Sequence, residues 1–442
     1  MKAYLNKNRV YTFLLFLLIF SMPFGSYFFI FKTSAFVMFL SRLVLIITAA
    51  VLLVNRDFVF YKGKFSKYFM YIGVAWIAYA LLSYFWVISV QYWLKEIISL
   101  LSGFLLFYTI HSLLYKIQKP FRWLILAWST AFLTQMLFGF WEMYTGDHLF
   151  GNFYKYISNF PYYHFVNKSI ITTFDNPNNL AIYLTFSFVL FLLTGDKFKK
   201  FKSLLNFFLV YVCIVTYLGS SRIAIFALIS VYLIYIYIHS KELVLKLIKS
   251  KLYIGFFGLS IISVIYLINF DAKFLYPDDT GQEVKELYTT TLHGEFNDSS
   301  SSVNIRKQLI LNGFDFFIAS KGFGIGSGNF EAYMLNKPLK YETAKTINPH
   351  NWTIQILSQY GFFIFIPLYL WYLNLFVHMY KSLFIDLNRN KIKFSLIFPF
   401  LMFIAYGILS NLDSSFMNNP LNWTVLALIL ISVENKELYF KV

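Results

Sequence analysis

Cysteine, acidic residues and charge in general are scarce in this chain. The single cysteine, Cys213, excludes a disulfide within the chain and a thiolate metal cluster. Its place in an apolar run makes it a small core residue. Only 13% of the 442 residues are charged and 58% are hydrophobic, at a mean hydropathy of +0.60. That balance excludes an ordinary soluble domain and describes a polytopic membrane protein. Chemical motifs are sparse too. There is no HExxH pair, no DxD-like pair backed by further ligands and no usable Ser–His–Asp spacing, so no metal or cofactor is expected. Asp278-Asp279 and Asp298 read as solvated turns. The stretch Gly322-Phe323-Gly324-Ile325-Gly326-Ser327-Gly328-Asn329 has neither the spacing nor the preceding strand of a dinucleotide fingerprint. Its alternating glycines instead let the backbone approach a bulky ligand or another helix.

What the chain has in quantity is apolar runs of spanning length. They predict about twelve transmembrane helices, near Val10–Phe31, Ser34–Val54, Tyr68–Ile88, Trp93–Leu114, Arg122–Trp141, Asn178–Thr194, Ser203–Leu218, Ser221–His239, Leu252–Phe270, Trp352–His378, Phe394–Ser410 and Leu421–Val433. Pro23 and Gly25 interrupt the first. With no signal-peptide cleavage site behind the basic N-terminus, that run is expected to stay in the membrane. Alternate connections carry most of the 38 Lys and Arg, which puts them and both termini in the cytoplasm. The +17 charge is then a cytoplasmic rim against anionic lipid, and nucleic acid need not be invoked. The organisation expected is residues 1–270 with nine helices, a large extracytoplasmic loop at 271–349, and 350–442 with three more.

The outward-facing remainder carries the chemistry. Asn176-Pro177, Asn348-Pro349 and Asn419-Pro420 each read as an N-cap followed by a first-turn proline, and Ser220-Ser221 as a fourth cap beside Arg222. Each helix start directs about half a positive charge outward, so a convergence of such ends would bind an anion. His350 then falls in the first turn of its helix, where it is expected neutral and suited to act as a general base. The polar stripe Asn351, Gln355, Ser358 runs below it. Arg306 heads a helical stripe of Ile310, Leu311, Phe314, Phe317 and Ile318, predicting a short amphipathic helix on the membrane surface or capping the bundle. Arg222 and Arg306 can be interfacial anchors, but on a side poor in arginine their residue type favours phosphate recognition.

Four pieces in this order resemble the bacterial O-antigen ligase and O-antigen polymerase superfamily. They are Thr173-Phe174-Asp175-Asn176-Pro177-Asn178-Asn179-Leu180-Ala181, Ser220-Ser221-Arg222, Arg306 upstream of Gly322–Gly326, and Asn348-Pro349-His350-Asn351 through Gln359-Tyr360-Gly361. The flavour of these motifs is similar to Gram-positive capsule or teichuronic acid polymerases. The resemblance implies an all-α, GT-C-like glycosyltransferase of the bacterial plasma membrane, with its site extracytoplasmic. The donor would be an undecaprenyl-diphosphate-linked glycan, the acceptor another glycan, and a chain-length regulator protein a further partner. By position, Arg222 and Arg306 would hold the donor diphosphate and His350 would activate the acceptor hydroxyl, without metal and with inversion. Asn178, Ser221, Gly324, Asn351 and Gln355 would line the substrate cavity. A ligase moving a finished glycan is the alternative within the class. A lipid-linked glycan flippase or transporter is the distant one, disfavoured by spanning interiors nearly free of charge.

Overall fold

The computed structural model describes residues 2–25, 27–32, 37–146, 148–149, 170–174, 176–197, 202–218, 221–239, 302–343, 346–388, 394–411 and 418–435. The helices are α1 Lys2–Ser21, α2 Leu40–Val54, α3 Lys64–Leu82, α4 Val90–Lys116, α5 Pro120–Thr145, α6 Pro177–Lys197, α7 Lys202–Leu218, α8 Arg222–His239, α9 Ser302–Ala319, α10 Asn329–Asn336, α11 Trp352–Asn388, α12 Phe394–Leu409 and α13 Pro420–Glu434. Five stretches are long and apolar enough to cross a membrane: Lys64–Phe85, Val90–Lys116, Pro120–Thr145, Pro177–Thr194 and Trp352–Leu383. Shorter apolar helices pack among them, and the molecule is an all-α membrane protein. Every expected apolar run falls on one of these helices except Leu252–Phe270, which lies outside the described residues with Asp278, Asp279 and Asp298.

Three expectations need correction. The first run is shorter than its apolar length suggests, because Pro23 turns the chain into a 3₁₀ turn, Met22–Phe24, directly after Ser21. Among the described residues that follow, β1 Phe29–Lys32 and β2 Val37–Phe39 pair as antiparallel strands before α2 begins, where helix was expected. Cys213 is not in the core but exposed on α7, whose buried face is Phe208, Tyr211, Val212 and Val215. An apolar run alone does not say which of its faces meets lipid.

Contacts sort the connections into two ends. At one end Asp57 takes Lys7, Lys116 and Tyr11, Gln118 N–H donates to Asn8 Oδ1 at 2.9 Å, and Ser66 N–H donates to Glu434 Oε1 at 2.7 Å. The Phe65 and His378 rings lie 5.2 Å apart there. This is the lysine-rich end that the alternation of charge predicts. At the other end Ser327 N–H donates to Ser83 Oγ at 3.0 Å, and Thr173 Oγ1 donates to the Pro23 carbonyl at 2.6 Å.

Helix α11 departs most from the expected single span. Gly361 (φ 60°, ψ −161°) breaks it into arms 352–360 and 362–388. In a continuous helix Thr353 and Tyr369 would stand about 24 Å apart at 1.5 Å per residue. Here Tyr369 Oη donates to Thr353 Oγ1 at 2.6 Å, and the Trp352 and Tyr372 rings are 6.0 Å apart. The short arm therefore folds back along the long one. The glycine-rich loop makes that turn tolerable. Ile325 N–H and Gly326 N–H take the Ser358 and Gln359 carbonyls at 2.8 and 3.0 Å, and Phe362 N–H donates to Gly322 O at 3.0 Å. A Cβ on Gly361 would sit 2.2 Å from Gly322 O, and one on Gly324 would sit 2.5 Å from Gln359 O. Of the two uses open to these glycines, the structure shows close approach to another helix.

Candidate functional site

The short arm has its own satellite core, made of Leu309, Phe316, Ile325, Phe330, Met334 and Ile354, apart from the large core of the bundle. The predicted amphipathic helix is α9, and it caps the bundle by packing on this arm: a Cβ on Gly313 would lie 2.2 Å from Ile354 Cγ2. Its packed face is Leu309, Asn312, Gly313 and Phe316, while Phe314 and Ile318 of the expected stripe are exposed on the other side, where a membrane surface could take them. Gly313, with no side chain, lets Ile354 in and so selects the face that docks.

Arg306 sits half-buried in the second turn of α9, while Arg222 is the first residue of α8. Burial, and then the like charge of Arg222, push the Arg306 guanidinium below its ordinary range. The charge of Arg222, which is exposed, thus bears on Arg306 although the two lie far apart in sequence. Ser221 accepts Ile225 N–H on its carbonyl at 3.0 Å and so starts α8. Its Oγ is buried and meets no partner among the described residues, so it does not cap the helix in the way Ser220-Ser221 predicted. Ser220 lies outside the described residues.

Two of the three Asn-Pro starts form as expected. Asn176 Oδ1 accepts from Asn179 N–H at 2.9 Å ahead of Pro177, and Asn419 Oδ1 accepts from Leu421 N–H at 3.1 Å ahead of Pro420. Asn348-Pro349 does not. The cap of α11 is Asn351, whose Oδ1 accepts from Ile354 N–H at 3.0 Å. Asn351 competes successfully because α12 anchors it: Asn351 Nδ2 donates to Asn411 Oδ1 at 2.8 Å, and Trp352 N–H donates to the Ser410 carbonyl at 3.1 Å. His350 is consequently not in the first turn but immediately before the cap, half-buried, at φ 47°. A left-handed non-glycine residue costs roughly 1–3 kcal/mol and is typical of functional sites. It directly precedes the positive end of the short arm.

Among the remaining expected residues, Asn178 is half-buried in the first turn of α6 and Gln355 is buried on the short arm. Both polar ends of Asn351 are engaged, one in the cap and one with Asn411. Gly324 lines an open groove of about 500 Å³ with Tyr79, Trp86, Phe323, Tyr333 and Phe363. Neither arginine nor His350 is in that lining. Among the described residues, no three His, Cys, Asp or Glu side chains are grouped to hold a metal ion.

Sequence reasoning missed the supports. Glu142 Oε2 accepts from Ile171 and Thr172 N–H at 2.8 and 2.9 Å, and Gln135 Oε1 accepts from Thr172 and Thr173 hydroxyls at 2.6 and 3.0 Å. This buried acid and amide fix Thr172 at φ 53° and aim the chain into Asn176-Pro177. Two polar residues seven apart on one face of an apolar helix are a readable signal. Asn411 carried none.

Comparison with known proteins finds two similarities. Residues 207–369, from α7 to the long arm of α11, match the family described as O-antigen ligase. The chain is also 26% identical, over 98% of its own length and 86% of the relative's, to the teichuronic acid biosynthesis protein TuaE of Bacillus subtilis (strain 168). Both comparisons support the resemblance read from the four motifs: the chain is similar to membrane proteins of the O-antigen ligase and polymerase type.

Proposed function

We propose that the protein is a glycosyltransferase that polymerises undecaprenyl-diphosphate-linked repeat units into a surface polysaccharide at the outer leaflet. The reading is supported by the pair Arg222 and Arg306: an exposed guanidinium at the start of α8 whose like charge bears on a half-buried one in α9. Two guanidiniums close enough to feel each other's charge would suit a dianion, and a planar fork grips phosphate oxygens in pairs. The acceptor hydroxyl oxygen attacks the anomeric carbon as the bond from that carbon to the diphosphate breaks. His350 takes the hydroxyl proton, and undecaprenyl diphosphate leaves with the bonding electrons. Charge building on the leaving group is stabilised by the arginines, so the step needs no metal and inverts the anomeric centre.

The lysine-rich end is assigned to the cytoplasm and the arginine end to the exterior by the positive-inside rule, in a GT-C-like bundle of about twelve helices. Transfer of a finished glycan to another acceptor is the second reading, favoured by the O-antigen ligase description of residues 207–369. The relative's role in teichuronic acid biosynthesis favours a polymer as product. Purified protein supplied with lipid-linked repeat unit tests all of this. A ladder of longer products supports polymerisation, a single transferred block supports ligation, and no transfer under any acceptor would leave transport standing.

A further inference from the structure

We infer that Asn411, at the end of α12, is a positioning residue for His350. The inference rests on His350 being the base, as proposed above. The orientation of both amides in the Asn351–Asn411 pair is dictated by backbone groups. Asn351 Oδ1 is taken by Ile354 N–H at 3.0 Å, which leaves only its Nδ2 to face Asn411. Asn411 Nδ2 lies against the Gly407 and Ile408 carbonyls at 3.2 and 3.5 Å, which leaves only its Oδ1 to face Asn351. The single contact that satisfies both is the 2.8 Å bond from Asn351 Nδ2 to Asn411 Oδ1.

That bond and the parallel bond from Trp352 N–H to Ser410 O at 3.1 Å pin the residues directly after His350 to the end of α12. The short arm is also fixed at its far end by the glycine-rich loop at Gly361. His350 at φ 47° is thus held by its attachment to a segment immobilised at both ends. Asn411 does not need to touch substrate. It sets where the imidazole stands relative to the acceptor oxygen, and a misplacement on the order of 1 Å costs about 100-fold in rate.

The test compares donor affinity, turnover and melting temperature for wild type, Asn411→Ala, Asn351→Asp, His350→Ala and the double variant Asn411→Ala/His350→Ala, using lipid-linked repeat unit. Asn351→Asp keeps the helix cap but sets acceptor against acceptor at Asn411, so it breaks the contact even where Asn411→Ala fails to fold. Each single clamp variant should lower kcat by roughly 10- to 100-fold while KM for the donor stays within about twofold. The double variant should be no slower than His350→Ala alone, because residues acting as one unit are not additive. Clamp variants with wild-type kcat, or losses that multiply with His350→Ala, would overturn the inference while leaving the base intact. Wild-type turnover by His350→Ala would instead remove the base on which it rests.

Discussion

At the lysine-rich end of the bundle, Asp57 sits among Lys7, Lys116 and Tyr11, whereas in the α8–α9 region the like charge of Arg222 bears on Arg306. Burial alone would raise the Asp57 carboxyl, but hydrogen bonds from Lys116, Lys7 and Tyr11 outweigh it and hold the group well below the usual carboxylate range. That end is arranged to stabilise the fold. On the function proposed, the arginine end would instead serve a bound diphosphate, and perturbed charges of one sign would mark the site.

The largest effect expected is at the base. His350→Ala should lose on the order of 10²–10⁴-fold in turnover, with donor binding and melting temperature little changed, measured by single-turnover transfer and thermal shift. Arg222→Ala and Arg306→Ala come next, each losing on the order of 10²–10³-fold, the size seen when a donor to a developing anion is removed. Arg306→Ala should leave the melting temperature little changed, because it removes a partly buried charge that lies in the field of Arg222; destabilisation by either variant would place that arginine with Asp57 in a structural role. Arg→Lys should recover only part of the rate.

Asp57→Asn should do the opposite. It should cost about 1.5–3 kcal/mol of stability, the usual worth of charge-assisted hydrogen bonds, while transfer per folded molecule stays near wild type. The smallest effect is the pH dependence of that contribution. Because the folded carboxyl lies below its unfolded value, its stabilisation is complete above about pH 4–5 and fades as pH falls further. Asp57→Asn should flatten the acid limb of the wild-type stability profile. An unchanged limb would mean that other carboxylates dominate it.

Much of this was readable in the residues, and the exceptions have physical causes. Apolar length located the helices, and the alternation of Lys and Arg located the basic end. Asn176-Pro177 and Asn419-Pro420 capped as local chemistry predicts. At Asn348-Pro349 local propensity lost to a tertiary contact, since Asn411 anchors Asn351 and shifts the helix start past His350. The fold-back at Gly361 was equally hidden, because a glycine inside an apolar run looks the same in a straight helix and in a broken one. The face of α9 that packs on the short arm was not legible, because Gly313 rather than an apolar side chain sets the close approach, while Phe314 and Ile318 stay exposed. The arginines were singled out by scarcity on their side of the membrane. Their proximity came from the fold.

The most direct measurement is binding of undecaprenyl diphosphate, without sugar, to purified wild type, Arg222→Ala, Arg306→Ala and the double variant, at fixed ionic strength. The account predicts at least a tenfold loss of affinity for each single variant, with His350→Ala binding as wild type. It also predicts a ligand-dependent rise in melting temperature that is present in wild type and absent in the double variant. Undiminished affinity in both single arginine variants would contradict it.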